Sequence, residues 1–376
     1  MKYFLIAGEA SGDLHASHLI RHLRLIDPQA QFRCYGGDLM EQAGARLLCH
    51  YRELAYMGFI PVITHLRTIL RGLKRCQEAI SEWQPDAVIL VDYAGFNLKV
   101  ARYVKHHGIC PVLYYIPPKI WAWKERRIRQ LRAYADRIYC ILPFEQDYYR
   151  TRHQLDVSYV GNPTLDEVDS YLREHGPARP EPRTLAVLPG SRMQEVHDNL
   201  RIMLEAVAPL ADEGWKIVVA RTPSIPYDDY ICLLSLSPLP SESIDVVDGD
   251  TYGLLAQAEA ALVTSGTATL ETALFRVPQV VCYYVRCGRL VSLLRRLFLK
   301  VPFISLVNLV TRQETVPELV AHQMTAPNVL AHLRPLLSDT PERARMLQGY
   351  DRMRELLGQP GTPERAAREM VEFLKK

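Results

Sequence analysis

Short runs of apolar and β-branched residues alternate along the whole chain with longer segments whose apolar residues recur at helical spacing. Parallel α/β units produce this alternation, because a strand buried on both faces is apolar throughout and each crossover helix is apolar on one side. The predicted strands lie near 3–7, 31–35, 87–91, 112–116, 137–142 and 157–160 in the first half, and near 184–188, 216–220, 244–247, 261–264 and 279–284 in the second. The pattern therefore predicts two doubly wound α/β domains with mainly parallel sheets.

The length of 376 residues supports this division, since it exceeds one ordinary hydrophobic core. The segment Asn162–Arg183 carries four prolines and many charges, and we interpret it as the linker. The predicted domains are 1–176 and 177–340, followed by a helical segment, 341–376, that can return to pack on the first domain. In facing domains of this kind, a ligand is expected in the inter-domain cleft, beyond the carboxyl ends of the strands.

Composition and charge exclude several classes of protein. The chain is 48% hydrophobic and 23% charged, with a net charge of +3, so its total charge does not indicate nucleic acid. The eight cysteines lie in apolar contexts without metal-ligand spacing, which is typical of reduced thiols in a cytoplasmic protein. The sequence shows neither a signal peptide nor a run approaching the ~20 apolar residues of a membrane span. We expect a cytoplasmic protein whose membrane contact is peripheral.

A glycine-containing turn, G-E-A-S-G-D at 8–13, directly follows the first predicted strand. Its glycines allow close approach of a ligand, which would meet Glu9, Ser11 and Gly12, while Ser11 or Asp13 can cap the next helix. A ligand loop and a capped turn both fit this pattern. The turn lacks G-x-G-x-x-G spacing, which argues against a dinucleotide site and a Rossmann oxidoreductase.

Two turns of the second half are candidate diphosphate sites. Gly190, Ser191 and Arg192 follow the strand at 184–188, where helix-start N–H groups and a guanidinium can bind a phosphate. The alternative for this turn is a simple helix cap with a surface arginine.

Ser265, Gly266 and Thr267 form the other turn, with Glu271 about one helical turn further on, where it can reach a ribose. Here too, helix capping alone is the alternative. Asp248-Gly249-Asp250 resembles a metal–nucleotide motif, but Asp250 precedes a helical segment and is predicted to be its N-cap. We predict no obligatory metal.

Asp92 ends the buried strand at 87–91. A carboxylate at the carboxyl end of such a strand can be partly desolvated, which raises its basicity and suits a general base. Its alternative role is to cap the following helix.

Two segments combine an apolar stripe with basic residues, a composition typical of helices at an anionic membrane surface and also compatible with core packing. In the first segment the stripe and its charges are Leu66, Ile69, Leu70 and Leu73 with Arg67, Arg71, Lys74 and Arg75. In the second they are Leu290, Leu293, Leu294 and Leu297 with Arg289, Arg295, Arg296 and Lys300. One stripe in each domain favours an enzyme that works at a membrane.

Taken together, these motifs resemble the lipid-A-disaccharide synthase family in order and over nearly the whole chain. The elements that carry the resemblance are G-E-A-S-G-D at 8–13, W-A-W at 121–123, L-P-F-E at 142–145, L-P-G-S-R at 188–192, S-G-T-A-T-L-E at 265–271 and V-N-L at 307–309.

This resemblance implies a GT-B fold and inverting transfer of 2,3-diacylglucosamine from its UDP ester to the 6-hydroxyl of 2,3-diacylglucosamine 1-phosphate. The expected products are a β-1,6-linked disaccharide 1-phosphate and UDP, without a metal or other cofactor, at the inner face of the cytoplasmic membrane. By matching position, the resemblance makes Asp92 the catalytic base and assigns UDP to the two turns of the second half. It also implies substrate contacts for Asn97, Asn308 and Glu314.

The chain departs from the family pattern at three places. D-Y-A-G-F-N at 92–97 stands where many members have D-A-P-D-F-N. Gly95 therefore replaces a second aspartate, which would have been the main alternative to Asp92 as the catalytic base. Arg312 is displaced by one residue from the family's arginine, and Lys119 and Ile120 precede the W-A-W motif. Two rival functions are a UDP-N-acetylglucosamine 2-epimerase, which needs no oily basic helices, and a non-catalytic binder of acidic lipid, which needs no Asp92.

Overall fold

The structure is a computed structural model that describes residues 1–54, 62–222, 225–235, 237–240, 243–284 and 301–376, without the side chains of residues 54 and 62–69. The chain forms two compact units, one of residues 1–163 with 360–376 and the other of residues 164–359. Each unit contains a parallel sheet flanked by helices, which confirms the predicted α/β class.

In the first unit, seven strands form a parallel sheet in the order β3-β2-β1-β4-β5-β6-β7. These strands are β1 Lys2–Ala7, β2 Gln31–Gly36, β3 Arg46–His50, β4 Ala87–Val91, β5 Val112–Tyr115, β6 Arg137–Cys140 and β7 Ser158–Tyr159. The helices are α1 Ala10–Ile26, α2 Asp38–Gln42, α3 Tyr51–Leu54, α4 Val62–Trp83, α5 Ala94–His106, α6 Ile128–Tyr134, α7 Pro143–Asp147 and the last helix of the chain, Thr362–Leu374.

In the second unit, six strands form a parallel sheet in the order β10-β9-β8-β11-β12-β13. These are β8 Thr184–Leu188, β9 Lys216–Arg221, β10 Ile244–Asp248, β11 Ala260–Thr264, β12 Gln279–Tyr283 and β13 Glu318–Val320. The helices are α8 Pro163–His175, α9 Met193–Asp212, α10 Tyr227–Ser235, α11 Thr251–Gln257, α12 Thr267–Leu274, α13 Leu306–Thr311, α14 Ala326–Leu333 and α15 Pro341–Leu357. The last helix, Thr362–Leu374, is α16.

The central strand β1 shows why the apolar runs fold this way. Its side chains alternate between two hydrophobic cores, with Tyr3, Leu5 and Ala7 in one and Phe4 and Ile6 in the other. All five are fully buried. A strand covered by helices on both faces must be apolar at every position, which explains the unbroken run.

The unit boundaries differ from the predicted domain boundaries of 176/177 and 340/341. Helix α8 belongs to the second unit, where Tyr171 packs against Tyr252 and Phe275 and Asp169 accepts two hydrogen bonds from Arg354. Helix α15 also belongs there, and α16 alone of the predicted C-terminal segment joins the first unit. The prolines after α8 mark a turn within the second unit, and tertiary contacts decided the division.

Helix α16 packs on α1 through a short apolar face. Ala366, Ala367, Met370 and Val371 share a buried cluster with Leu19 of α1. Arg365 adds a hydrogen bond from its Nε to the carbonyl of Val160 (3.0 Å). This packing ties the end of the chain to the sheet of the first unit.

Strands β3 and β13 lie outside the predicted set. Strand β3 is a half-buried edge strand of mixed composition, and β13 has three residues, so neither produces a clear periodic signal. The described cysteines are free thiols, and Cys287 lies outside the described residues. Within the described ranges, no helix is both long and apolar enough to cross a membrane.

Candidate active site

Asp92 stands directly after the fully buried strand β4, as predicted, and its backbone lies in the left-handed region. Its φ is 45° and that of Tyr93 is 42°, a conformation that costs about 1–3 kcal/mol for each non-glycine residue. The Asp92 amide donates to the carbonyl of Ile116 (3.1 Å), and its carbonyl accepts from the Tyr114 hydroxyl (2.7 Å). These bonds hold the strained turn, and strain of this kind is concentrated at functional sites.

The environment of the Asp92 carboxyl changes its acidity. The Asp92 side chain is exposed, yet the surrounding protein atoms desolvate its carboxylate and raise its pKa. Smaller effects of Lys119, the Tyr93 amide, His15 and Arg127 lower the pKa, and desolvation outweighs them. A carboxylate that is accessible to a substrate and more basic than usual can act as a general base.

Asn97 is fully buried and supports Asp92 from behind. Its Nδ2 donates to the carbonyls of Asp92 (2.9 Å) and Val91 (3.1 Å), and more weakly to that of Ile6 (3.5 Å). The amide therefore ties the carboxyl ends of β1 and β4 together. The amide nitrogen of Asn97 therefore positions the turn from within the strand ends, and the substrate contact implied for this residue stays a prediction.

The turn at 8–13 lies at the same edge of the sheet, since β1 and β4 are parallel neighbours. A Cβ on Gly8 would come within 2.2 Å of the Tyr93 ring, so this glycine permits contact between the two turns. Glu9 and Ser11 are exposed, whereas Gly12 is buried against Ala7 and Val91.

The expected cap on the first helix was wrong. Helix α1 begins at Ala10, so Glu9 occupies the N-cap position and Ser11 and Asp13 lie inside the helix. The buried Asp13 carboxylate instead accepts from the amides of Gly37 (2.8 Å), Leu39 (3.1 Å) and Met40 (3.1 Å). It caps α2 and joins α1 to the turn after β2.

In the second unit, the turn after β8 is closed by its own helix. The Glu195 carboxylate accepts from the amides of Ser191 (3.1 Å) and Arg192 (3.4 Å), and from the Arg192 guanidinium (3.0 Å). Gly190 has a φ of 126°, and a Cβ there would lie 2.6 Å from Glu195. The Ser191 amide and the Arg192 donors, which the sequence predicted for a phosphate, are thus bound to Glu195. A phosphate that binds here must displace the Glu195 carboxylate or share these donors with it.

The turn after β11 is more open. Gly266 is extended, with open space where a Cβ would be, and Thr267 is exposed as the first residue of α12. The Ser265 hydroxyl donates to the carbonyl of Ile304 (2.9 Å), which leaves its oxygen able to accept. Backbone donors at the start of α12 are therefore accessible to an anion.

Glu271 lies one helical turn inward and is half-buried. Its Oε1 accepts from the Tyr252 hydroxyl (3.1 Å), and that hydroxyl also lies 3.4 Å from Glu167. One hydroxyl carries one proton, so Tyr252 donates to one of the two carboxylates at a time. The hydrogen bond from Tyr252 thus fixes the position of the Glu271 carboxylate.

The sequence analysis did not predict a role for Asn199, although its side chain connects three strand ends of the second unit. Its Nδ2 donates to the Thr264 hydroxyl (3.0 Å) and the Pro189 carbonyl (3.3 Å), and its Oδ1 accepts from the Tyr284 amide (2.8 Å). A polar residue in the apolar stripe of α9, beside Val196 and Leu200, was the signal that could have identified it.

Asn308 is hydrogen-bonded to residues 315–318, at the start of β13. The buried Asn308 amide accepts from the amides of Thr315 (2.7 Å) and Val316 (2.9 Å), and donates to the Val316 carbonyl and to Glu318 (both 2.9 Å). Its hydrogen-bonding capacity is therefore used in the fold, and the substrate contact implied for Asn308 stays a prediction.

Glu314 precedes β13, whereas Ser265 follows β11. Because the strands are parallel, these two residues belong to opposite ends of the sheet. Glu314 lines a cavity of about 640 Å³ beside α14 and α15. The substrate contact that the resemblance implies for Glu314 stays a prediction.

Asp250 confirms its predicted capping role, since its Oδ1 accepts from the Gly253 amide (2.8 Å) at the start of α11. Asp248 pairs with Arg221.

The two predicted membrane segments are described in part. Leu70, on α4, is 50% exposed, and the neighbouring Arg71 is exposed as well. The side chains of Leu66 and Arg67 lie outside the described residues. So does the whole second segment, with Leu290, Leu294, Arg295 and Arg296.

The two tryptophans of the W-A-W motif have different environments. Trp121 is buried, donates its Nε1–H to Glu145 (2.9 Å) and packs edge-on against Phe144. Burial raises the pKa of Glu145, although Trp121 and two backbone amides donate hydrogen bonds to its carboxylate. Trp123 is 52% exposed, which leaves it accessible to a ligand.

Two parallel α/β units with polar turns at their strand ends define a class that includes GT-B glycosyltransferases and sugar-nucleotide epimerases. The calicheamicin glycosyltransferase CalG4 is similar in structure over 100% of this chain and 98% of its own, with a TM-score of 0.61 and 16% identity. The UDP-GlcNAc 2-epimerase from Neisseria meningitidis is similar over 100% of both chains, with a TM-score of 0.67 and 10% identity. At these identities the similarity establishes the fold.

Sequence comparison identifies the family. The family model described as lipid-A-disaccharide synthetase matches residues 3–370. The lipid-A-disaccharide synthase of Myxococcus xanthus is 38% identical, covering 99% of this chain and 97% of that protein, and that of Syntrophus aciditrophicus is 36% identical with the same coverage. The chain belongs to the lipid-A-disaccharide synthase family and is a glycosyltransferase, as the sequence motifs indicated.

Proposed function

We propose that this chain transfers 2,3-diacylglucosamine from UDP-2,3-diacylglucosamine to the 6-hydroxyl of 2,3-diacylglucosamine 1-phosphate. The acceptor oxygen forms a bond to the anomeric carbon while the bond from that carbon to the UDP oxygen breaks, with inversion. The products are the β-1,6-linked disaccharide 1-phosphate and UDP. The observation that carries this proposal is Asp92, a strained and desolvated carboxylate that is open to solvent at the end of β4.

Asp92 is the general base in this proposal. It takes the proton of the 6-hydroxyl as that oxygen attacks, and its raised pKa makes the carboxylate a better proton acceptor. Tyr114 and Asn97 fix the backbone of Asp92, so the carboxylate needs little reorganisation during the reaction.

UDP binds to the turns of the second unit. Thr267 and the amides at the start of α12 meet the diphosphate, together with Ser265, Gly266 and the turn Gly190–Arg192. When the diphosphate binds, its oxygens replace the Glu195 carboxylate on the Ser191 and Arg192 donors, and Arg192 then stabilises the leaving group. Glu271, held by Tyr252, accepts a hydrogen bond from the ribose.

The exposed Leu70 and Arg71 support a peripheral contact with the cytoplasmic face of an anionic membrane. We expect the segment at 286–300 to contribute as well. Neutralising Arg289, Arg295 and Arg296 together should weaken co-sedimentation with anionic vesicles and leave binding to neutral vesicles unchanged. Unchanged co-sedimentation with anionic vesicles would remove that segment from the proposed contact.

The decisive experiment incubates purified protein with both substrates in detergent and EDTA, and follows UDP release together with product mass. A tetraacyl disaccharide 1-phosphate formed with equimolar UDP supports the proposal. Folded protein that binds UDP yet forms neither product contradicts it. Conversion of UDP-N-acetylglucosamine to its 2-epimer would favour the epimerase alternative.

A further inference from the structure

A basic surface surrounds the exposed tryptophan that follows β5. Residues 119–129 contain five cations and one carboxylate, Glu125. Glu125 is engaged elsewhere, with Arg152 at 2.6 Å and the Tyr148 hydroxyl at 3.2 Å. We define the phosphate patch as Lys119, Trp123, Lys124 and Arg127.

The phosphate patch has a built geometry. The Trp123 ring has the Lys124 ammonium 4.2 Å and the Arg127 guanidinium 5.6 Å from its centroid. The Trp123 amide donates to the Lys119 carbonyl (3.3 Å), which closes the turn that carries the first cation. On the buried side, Trp121 anchors the same segment to Glu145. Two cations are thus held beside one aromatic ring on a tethered turn.

The phosphate patch lies next to the candidate base. The Asp92 amide donates to the carbonyl of Ile116, from which the chain runs directly into the patch segment. Lys119 and Arg127 are both close enough to act electrostatically on the Asp92 carboxyl. Among the described residues, no carboxylate forms an ion pair with Lys119, Lys124 or Arg127. These cations are therefore available to an anion that binds beside Asp92.

We infer that the phosphate patch binds the anomeric phosphate of the acceptor and so sets the acceptor 6-hydroxyl against Asp92, an inference that rests on the proposed function. The 1-phosphate and the 6-hydroxymethyl group flank the ring oxygen of the same sugar, so neighbouring protein groups can hold both. Charge-assisted bonds from an ammonium and a guanidinium suit a phosphate. Without an anion, Lys119 and Arg127 reduce the basicity of Asp92, and a bound phosphate neutralises them.

The test compares equilibrium binding of 2,3-diacylglucosamine 1-phosphate and of 2,3-diacylglucosamine in detergent micelles. We expect the full-length protein to bind the phosphorylated acceptor at least tenfold more tightly, as loss of a charge-assisted bond implies. Lys119→Ala and Arg127→Ala should each weaken that binding about tenfold and leave the affinities for UDP and for the phosphate-free acceptor unchanged. Arg129→Ala, an exposed arginine on the next helix, is the matched control and should bind both acceptors normally.

Three results would overturn this inference. Equal affinity of the wild-type protein for the two acceptors would exclude phosphate recognition. Weaker UDP binding in the variants would assign the cations to the donor diphosphate. Unchanged acceptor binding with reduced co-sedimentation on anionic vesicles would assign them to lipid headgroups. Binding is read separately from turnover, so preference for the phosphorylated acceptor without disaccharide formation would contradict the proposed transfer reaction and not the phosphate patch.

Discussion

The carboxyl edges of the two sheets are built alike and equipped differently. In each unit a buried asparagine connects the strand ends: Asn97 joins β1 to β4, and Asn199 joins β8, β11 and β12. Beyond these amides, the first unit presents a strained carboxylate among cations. The second presents backbone donors and hydroxyls. The comparison shows that polar groups at the ends of buried strands need hydrogen-bond partners, which a buried asparagine supplies in both units. The turns that follow the strands decide the chemistry.

The largest expected effect comes from removing the negative charge of Asp92, at the carboxyl edge of the sheet in the first unit. Asp92→Asn should lower kcat roughly 100-fold or more, because the amide cannot accept the acceptor proton. UDP affinity and the circular dichroism spectrum serve as controls and should not change. Turnover within a few-fold of wild type would exclude Asp92 as the base.

The paired asparagines test the similarity of the two edges. Asn97→Ala and Asn199→Ala should each reduce the free energy of unfolding by about 1–3 kcal/mol, since each leaves buried backbone or hydroxyl groups without a partner. Denaturant titration measures this loss. Asn97→Ala should also lower kcat, and Asn199→Ala should weaken UDP binding. A stability loss in one variant and none in the other would show that the two edges are not equivalent.

The second edge can be tested by two changes with opposite expected outcomes. Arg192→Ala should weaken UDP binding about tenfold through loss of a charge-assisted bond. Glu195→Gln should strengthen UDP binding, because the carboxylate no longer competes with the diphosphate for the same donors. Calorimetric titration with UDP measures both. Weaker binding in Glu195→Gln would mean that Glu195 supports the bound state of the turn.

The smallest expected effect is a displacement in pH dependence. Since desolvation raises the pKa of Asp92, kcat/KM should lose activity on the acid side at a higher pH than an ordinary aspartate near 3.9 would cause. The folded state also binds this proton more tightly than the unfolded state does. Stability from this group is therefore lost as pH rises through the folded pKa. Asp92→Asn should then melt at an equal or higher temperature than wild type at neutral pH, and a clearly lower melting temperature would contradict this sign.

Much of the scaffold was predictable because strand and helix signals are local. The apolar run at 87–91 predicted β4 and placed Asp92 at its end, and the position of Asp250 before α11 predicted its cap. The two-residue reversal at Asp92 and Tyr93 was not predictable. Neither residue type demands a left-handed backbone. The hydrogen bonds that hold this turn come from Tyr114 and Asn97, which lie elsewhere in the fold.

The sequence by itself determined the α/β alternation, the family and the strand ends where polar turns occur, because periodicity and motif order are properties of the chain read locally. Tertiary structure alone decided which polar groups remain available. It engaged Glu195 with the turn after β8, enclosed Asn308 in the fold and placed Glu314 before the amino end of β13, at the opposite end of the sheet from Ser265. A hydrogen-bond partner is chosen by proximity in space, and residues distant in sequence supply it.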